Sequence, residues 1–161
     1  MKWTNTLFLV PLLLCTTAQA APPVGAFEAL PPSAQEKQAP TVLASASSND
    51  VFAMGGIGFA GTRPAKLVAY QAILRRPDAT LVFQKLLASP SAVTRLYALT
   101  GIAKSSPTVF RQIAPKYQNR REVVKMMGGC IAFERPFGDA VRDLAAGESP
   151  ATFPSKSKPR G

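Results

Sequence analysis

The sequence predicts an all-α protein: about seven short helices stacked as hairpins. Three observations carry that reading. First, residues 51–146 repeat one phrase, Gly58-Phe59-Ala60-Gly61-Thr62-Arg63-Pro64, Gly101-Ile102-Ala103-Lys104-Ser105-Ser106-Pro107 and Cys130-Ile131-Ala132-Phe133-Glu134-Arg135-Pro136. Each reads as the end of a helix, a short turn, and a proline opening the next helix, where its missing N–H costs nothing. Second, apolar residues recur at helical spacing, with no alternating strand pattern. Third, Tyr70, Val82 and Phe83 recur at Tyr97, Val109 and Phe110, so residues 67–87 and 94–114 look like two copies of one helical hairpin.

The flanks divide the chain further. Residues 1–20 read as a signal peptide: Met1-Lys2, the apolar run Leu7 to Leu14, then the cleavage motif Ala18-Gln19-Ala20. Cleavage is expected before Ala21, giving an exported protein, periplasmic or secreted, with no transmembrane segment in the mature chain. Cys15 suggests the competing reading of a lipoprotein, but Leu14 stands where lipoprotein cleavage needs a small residue. Residues 21–48, rich in Ala, Pro, Ser and Gln, read as a disordered linker. Phe27, Leu30 and Val42 are its isolated apolar residues. Residues 49–147 form the helical domain, and 148–161 a disordered basic tail with Lys156, Lys158 and Arg160.

Within the domain, the first helix is expected over Val51–Ala60, capped by Ser48, Asn49 or Asp50. It contains Gly56-Ile57-Gly58-Phe59-Ala60-Gly61, a literal G-x-G-x-x-G. A dinucleotide site would need a strand before it and an acidic residue at the end of the next strand. Asp78 lies at the right distance but follows Pro77 in a helix connector, so the glycines read as helix-packing residues, as do Met54-Gly55-Gly56 and Met127-Gly128-Gly129. Pro64–Arg75 turns Leu67, Tyr70, Ile73 and Leu74 to one face and Lys66, Gln71 and Arg75 away from it. Asp78 caps a helix burying Val82, Phe83, Leu86 and Leu87. Ser89-Pro90-Ser91 starts Ala92–Ala103, apolar nearly all round and therefore central. Ser106-Pro107 opens a helix through Phe110, Ile113 and Ala114, which Pro115 ends or kinks. Asn119 and Glu122 have capping-box spacing before a helix burying Val123, Met127, Cys130 and Ile131. The last helix covers Phe137–Ala146 and stops at Gly147.

Helix-opening prolines, short turns and paired amphipathic helices resemble HEAT-like α-hairpin repeats across residues 51–146, with units shorter than the family's roughly 40 residues. The resemblance implies an α-solenoid scaffold or binding module and carries no catalytic residue. A compact helical bundle is the alternative.

Chemistry narrows the function. The chain has no histidine, which removes the commonest general base and most zinc and haem sites. Of the nine carboxylates, Asp50, Asp78 and Glu122 read as caps. Asp139 and Asp143 lie one turn apart, balanced by Arg135 and Arg142. No enzymatic activity, metal or cofactor is expected. Cys130 is the one cysteine left after cleavage, and it reads as a small buried hydrophobe. The net charge is +10, which favours anionic partners. Lys66, Arg75, Arg76, Lys116, Arg120, Arg121 and Lys125 are the candidate anion- or partner-binding residues. No basic stripe interleaved with aromatics points to nucleic acid. The expected function is binding of another macromolecule, a protein, in the bacterial envelope. The alternatives are an immunity or inhibitor protein against an exported toxin or hydrolase, and a basic-surface binder of anionic lipid or lipopolysaccharide.

Overall fold

The computed structural model describes residues 24–45, 47 and 50–152. The signal peptide, Cys15 and the basic end of the tail lie outside the described residues. Seven α-helices and one two-stranded antiparallel sheet make up the described fold, which is therefore helical overall but not purely all-α. In chain order they are α1 (Val24–Glu28), α2 (Pro32–Ala44), α3 (Ala65–Leu74), α4 (Ala79–Leu86), α5 (Ala92–Ser105), α6 (Pro107–Ile113), β1 (Val123–Gly128), β2 (Ile131–Pro136) and α7 (Phe137–Ala145). A 3-10 turn over Ala114–Lys116, with Pro115 inside it, ends α6.

The centre is α5. It packs against α3, α4, α6, α7 and β1, and every residue from Leu96 to Ile102 is buried. Ser91 Oγ caps it by accepting from the Thr94 N–H (3.3 Å). Gly101 is required there, because a Cβ at that position would stand 2.4 Å from the Phe83 ring. The two hairpins α3–α4 and α5–α6 bury equivalent residues. Tyr70 and Tyr97 are both in the core with ring centroids 5.7 Å apart, and Phe83 and Phe110 are both buried. Pro64, Pro107 and Pro136 each stand at the start of a helix, and Gly147 (φ 81°) follows the end of α7.

Three segments depart from the sequence expectations. Residues 24–44 form α1 and α2 where composition suggested a linker. Ala39, Val42 and Leu43, at helical spacing, press onto α3, and Phe27 is fully buried. That cover changes α3 itself: with α2 on one side and α5 on the other, it buries Lys66 as well as Leu67, Val68, Tyr70 and Ile73.

Residues 51–60 are not helical. Phe52 instead pairs in parallel with β1: its N–H donates to Lys125 O, and the Met127 N–H donates to Phe52 O, both at 2.9 Å.

Residues 123–136 form a β-hairpin rather than a capped helix. Val124 and Met126 face the core while Val123 and Lys125 face solvent, a period of two. Gly128 pairs with Ile131 across a two-residue turn whose first residue, Gly129, has φ 59°, as in a type II′ hairpin. Cys130 is consequently exposed in that turn, not buried. Glu122 caps no helix; its carboxylate meets Arg95 at 2.6 Å. Beyond α7 the chain folds back, burying Pro150, whose carbonyl accepts from Arg135 (3.4 Å).

Candidate binding surface

The segment 50–62 is tied down along its length. The Asp50 carboxylate meets Lys66 Nζ at 2.8 Å. Phe52 is held by β1, and its ring lies 4.6 Å from that of Tyr97. The Ala53 N–H donates to the Tyr97 hydroxyl (3.0 Å), which donates to Ala53 O (2.7 Å). Ile57 and Thr62 exchange backbone bonds of 2.8 and 3.1 Å, closing a four-residue loop, and the Gly58 N–H donates to Gly129 O (3.1 Å). The glycine pattern now has a local physical cause. Gly58 and Gly61 take φ of 68° and 62°, which glycine adopts without penalty. A Cβ on Gly56 would collide with Gly61 O at 2.4 Å.

At the free end of this anchored loop, Phe59 is fully exposed. The bond from Gly58 to Gly129 sets it beside the hairpin turn, where Cys130 and Ile131 are also exposed. Residues 51–62 and 126–133 contain no charged side chain. The two loops therefore form an uncharged, partly apolar tip on fixed supports. Sequence reasoning missed Phe59 by placing it in a helix. The usable signal was that its flanking glycines leave it without apolar partners at helical spacing.

The seven basic candidates separate into two groups. Lys66 is buried and unavailable to a partner: besides Asp50 it contacts Leu43 O (3.2 Å), Ser45 O and Thr94 Oγ1 (3.0 Å). Arg75 is engaged with Glu36 (3.4 Å) and Gln35. Arg76 makes two 2.8 Å bonds to Asp78 and one to Glu36 O; the Arg76 hydrogen bonds hold the Asp78 carboxyl below its usual range. Lys116, Arg120, Arg121 and Lys125 are exposed and in no ion pair among the described residues. Arg120 stacks over Tyr117 at 6.0 Å, and the strand register sets Lys125 opposite Glu134. Three of these four, Lys116, Arg120 and Arg121, fall within residues 79–121, a stretch that contains no carboxylate at all.

The carboxylates are largely committed to arginines. Asp139 pairs with Arg142, and Asp143 with Arg135 at 2.6 Å. Among the described residues, no group of three or more His, Cys, Asp or Glu side chains is placed to hold a metal ion. No described helix is long and apolar enough to cross a membrane. Burial pushes both central phenols up, Tyr70 to about 12, with Tyr97 shifted further in the same direction. No protein-family model, no curated protein and no solved structure matches the chain.

Proposed function

We propose that the protein is an exported, non-enzymatic binding module that docks another protein in the bacterial envelope through the Phe59 tip. The single observation that carries this reading is the full exposure of Phe59 on a loop whose anchors are fixed. A fully exposed aromatic side chain on an anchored backbone gains nothing for the fold. It supplies the kind of preformed apolar anchor that dominates protein interfaces. The paired hairpins α3–α4 and α5–α6 serve as its scaffold, in keeping with the HEAT-like resemblance.

The test is capture from envelope extract with wild type and Phe59→Ala, in low salt and in about 0.5 M salt, where the Debye length falls below roughly 5 Å. A partner retained by wild type at both salt levels and lost by Phe59→Ala is the expected outcome. Phe59→Ala should melt with wild type, since the side chain is fully exposed. Equal capture by both proteins would remove the reading.

A second reading rests on Lys116, Arg120, Arg121 and Lys125, exposed and in no ion pair among the described residues. These would bind anionic lipid or lipopolysaccharide electrostatically. Sedimentation with phosphatidylglycerol vesicles distinguishes it. Binding that disappears in high salt and survives Phe59→Ala would favour the basic surface.

A further inference from the structure

Tyr70 and Tyr97 occupy equivalent places in the two hairpins, yet their hydroxyls are used differently. Tyr97 spends its hydroxyl on both backbone groups of Ala53. The Tyr70 hydroxyl is buried and has no hydrogen-bond partner in the described fold, although the residue is only 2 % exposed. An unmade bond on a buried polar group is destabilising. Phenylalanine would fill the same core volume without that penalty, so packing does not explain the hydroxyl.

Tyr70 lines a cavity of about 370 Å³ together with Met54, Thr100, Lys104, Leu144 and Glu148. Ala103, Leu144 and Gly147 form a wall shared with a second cavity of about 390 Å³, which Phe110 and Ala114 line. Each is within the size range of small-ligand sites, roughly 300–1,000 Å³. Together they make a trough with mostly apolar walls, with Tyr70, Thr100, Lys104 and Glu148 at one end and Arg111 and Gln118 at the other.

We propose that this trough binds a small apolar monocarboxylate, its carboxylate accepting from the Tyr70 hydroxyl and Lys104 and its hydrocarbon lying along Leu144 towards Phe110. Tyr70 and Lys104 both line that end. The Tyr70 phenol is protonated at neutral pH, and burial pushes it further up; Lys104 is exposed with no ion pair among the described residues. Glu148 lines the same end, and its negative charge disfavours a second negative charge on the ligand. The protein's net charge of +10 favours an anion over a cation.

Octanoate is the probe, with octylamine as the charge-reversed control, titrated calorimetrically and by 15N-resolved NMR into the mature chain. Octanoate should bind saturably at one site, shifting the amides around Tyr70, Thr100 and Lys104. Tyr70→Phe should weaken it at least about tenfold, as expected for a lost hydrogen bond to a charged acceptor, while the unliganded variant melts at or above the wild-type temperature because the unsatisfied hydroxyl is gone. Lys104→Met should weaken it as well, and Phe59→Ala should leave it unchanged, which separates this site from the protein-docking tip. No saturable octanoate binding, equal affinity in Tyr70→Phe, or octylamine binding as tightly as octanoate would each overturn the proposal. Equal affinity in Tyr70→Phe would mean that the hydroxyl merely holds a water molecule.

Discussion

Replacing Lys66 by methionine tests the placement of α2 more sharply than any change in its own apolar residues. Methionine keeps most of the side-chain stem but removes the ammonium. In the native fold that ammonium meets the Asp50 carboxylate at 2.8 Å, with side chains only 8 % and 15 % exposed. It also donates to Leu43 O, Ser45 O and Thr94 Oγ1. Leu43 O keeps a donor after the change, because the Thr94 hydroxyl also bonds to it at 2.7 Å. Asp50 loses its counter-charge in a largely buried place, and Ser45 O loses its side-chain donor. Removing one partner of a buried pair costs about 3–5 kcal/mol, and the slight exposure of Asp50 argues for the lower end, about 3 kcal/mol. For a domain of this size that corresponds to a fall in Tm of roughly 12 °C, at about 4 °C per kcal/mol. Thermal and urea unfolding followed by circular dichroism measure it. The double variant Lys66→Met/Asp50→Asn removes the stranded charge and should recover about 1 kcal/mol or more of that loss. Salt should change the wild-type value little, since buried pairs are weakly screened. A loss below about 0.5 kcal/mol, the range of ordinary surface substitutions, would refute the buried placement of Lys66 and with it the docking of α2.

The glycines make an opposed pair. Gly101→Ala drives a methyl into the Phe83 ring and should cost about 1–3 kcal/mol by overpacking; Gly58→Ala meets no atom but must hold φ near 68°, costing roughly 1–2 kcal/mol through strain. If a Gly58→Asn variant, which tolerates that region better, melts no higher than Gly58→Ala, the strain account fails. Tyr97→Phe leaves the Ala53 N–H and C=O without their shared partner and should lose about 1–3 kcal/mol in denaturant unfolding; an unchanged midpoint would contradict the anchoring of the 50–62 segment. Tyr70 titrates at about 12 when folded, above its ordinary value of 10.0. Between those values the unfolded chain has released the proton and the folded one holds it, so stability falls as pH rises. The fall should begin near pH 10 and be shallower in Tyr70→Phe, measured by urea midpoints from pH 9 to 12; identical slopes in the two proteins would count against burial of the phenol.

Legibility in the sequence followed the strength of local punctuation. The start of α3 at Pro64, α5 at Ser91, α6 at Pro107 and α7 at Pro136 could all be read from prolines and caps, and the end of α7 from Gly147. Each acts within one turn of the residues it governs. The hairpin was hidden because its residues satisfy two periods at once: Val123, Met127, Cys130 and Ile131 fit a helix face, while Val124 and Met126 fit one face of a strand. The choice is made by Phe52, more than seventy positions earlier, whose backbone pairs with β1. Tertiary pairing of this kind overrides local propensity. The helices α1 and α2 were hidden by composition. Their apolar residues are few, Pro40 stands inside α2, and what makes the segment helical is the second face that α3 offers it. The same cover explains the misplacement of Lys66 in the candidate site. The exposure of Lys116, Arg120, Arg121 and Lys125 needed no such distant information.

The clamp of Lys66 and Thr94 onto Leu43 has a further meaning in time. The bond from Thr94 to Leu43 spans 51 positions, that from Tyr97 to Ala53 44, and those from Lys66 to Leu43 and Ser45 23 and 21. The contacts inside α3–α4 and α5–α6 span far fewer than the longest of these. Loop-closure entropy orders such events, short closures before long ones. The four central helices are thus expected to assemble as the folding nucleus, with α2 arriving after the rate-limiting barrier. Val42→Ala in α2 should then speed unfolding and barely slow refolding in stopped-flow chevrons. Equal changes on both arms would place α2 inside the nucleus instead. On this ordering the N-terminal cover is the piece that detaches first, and the lifetime of the folded protein is set by how long α2 stays on α3.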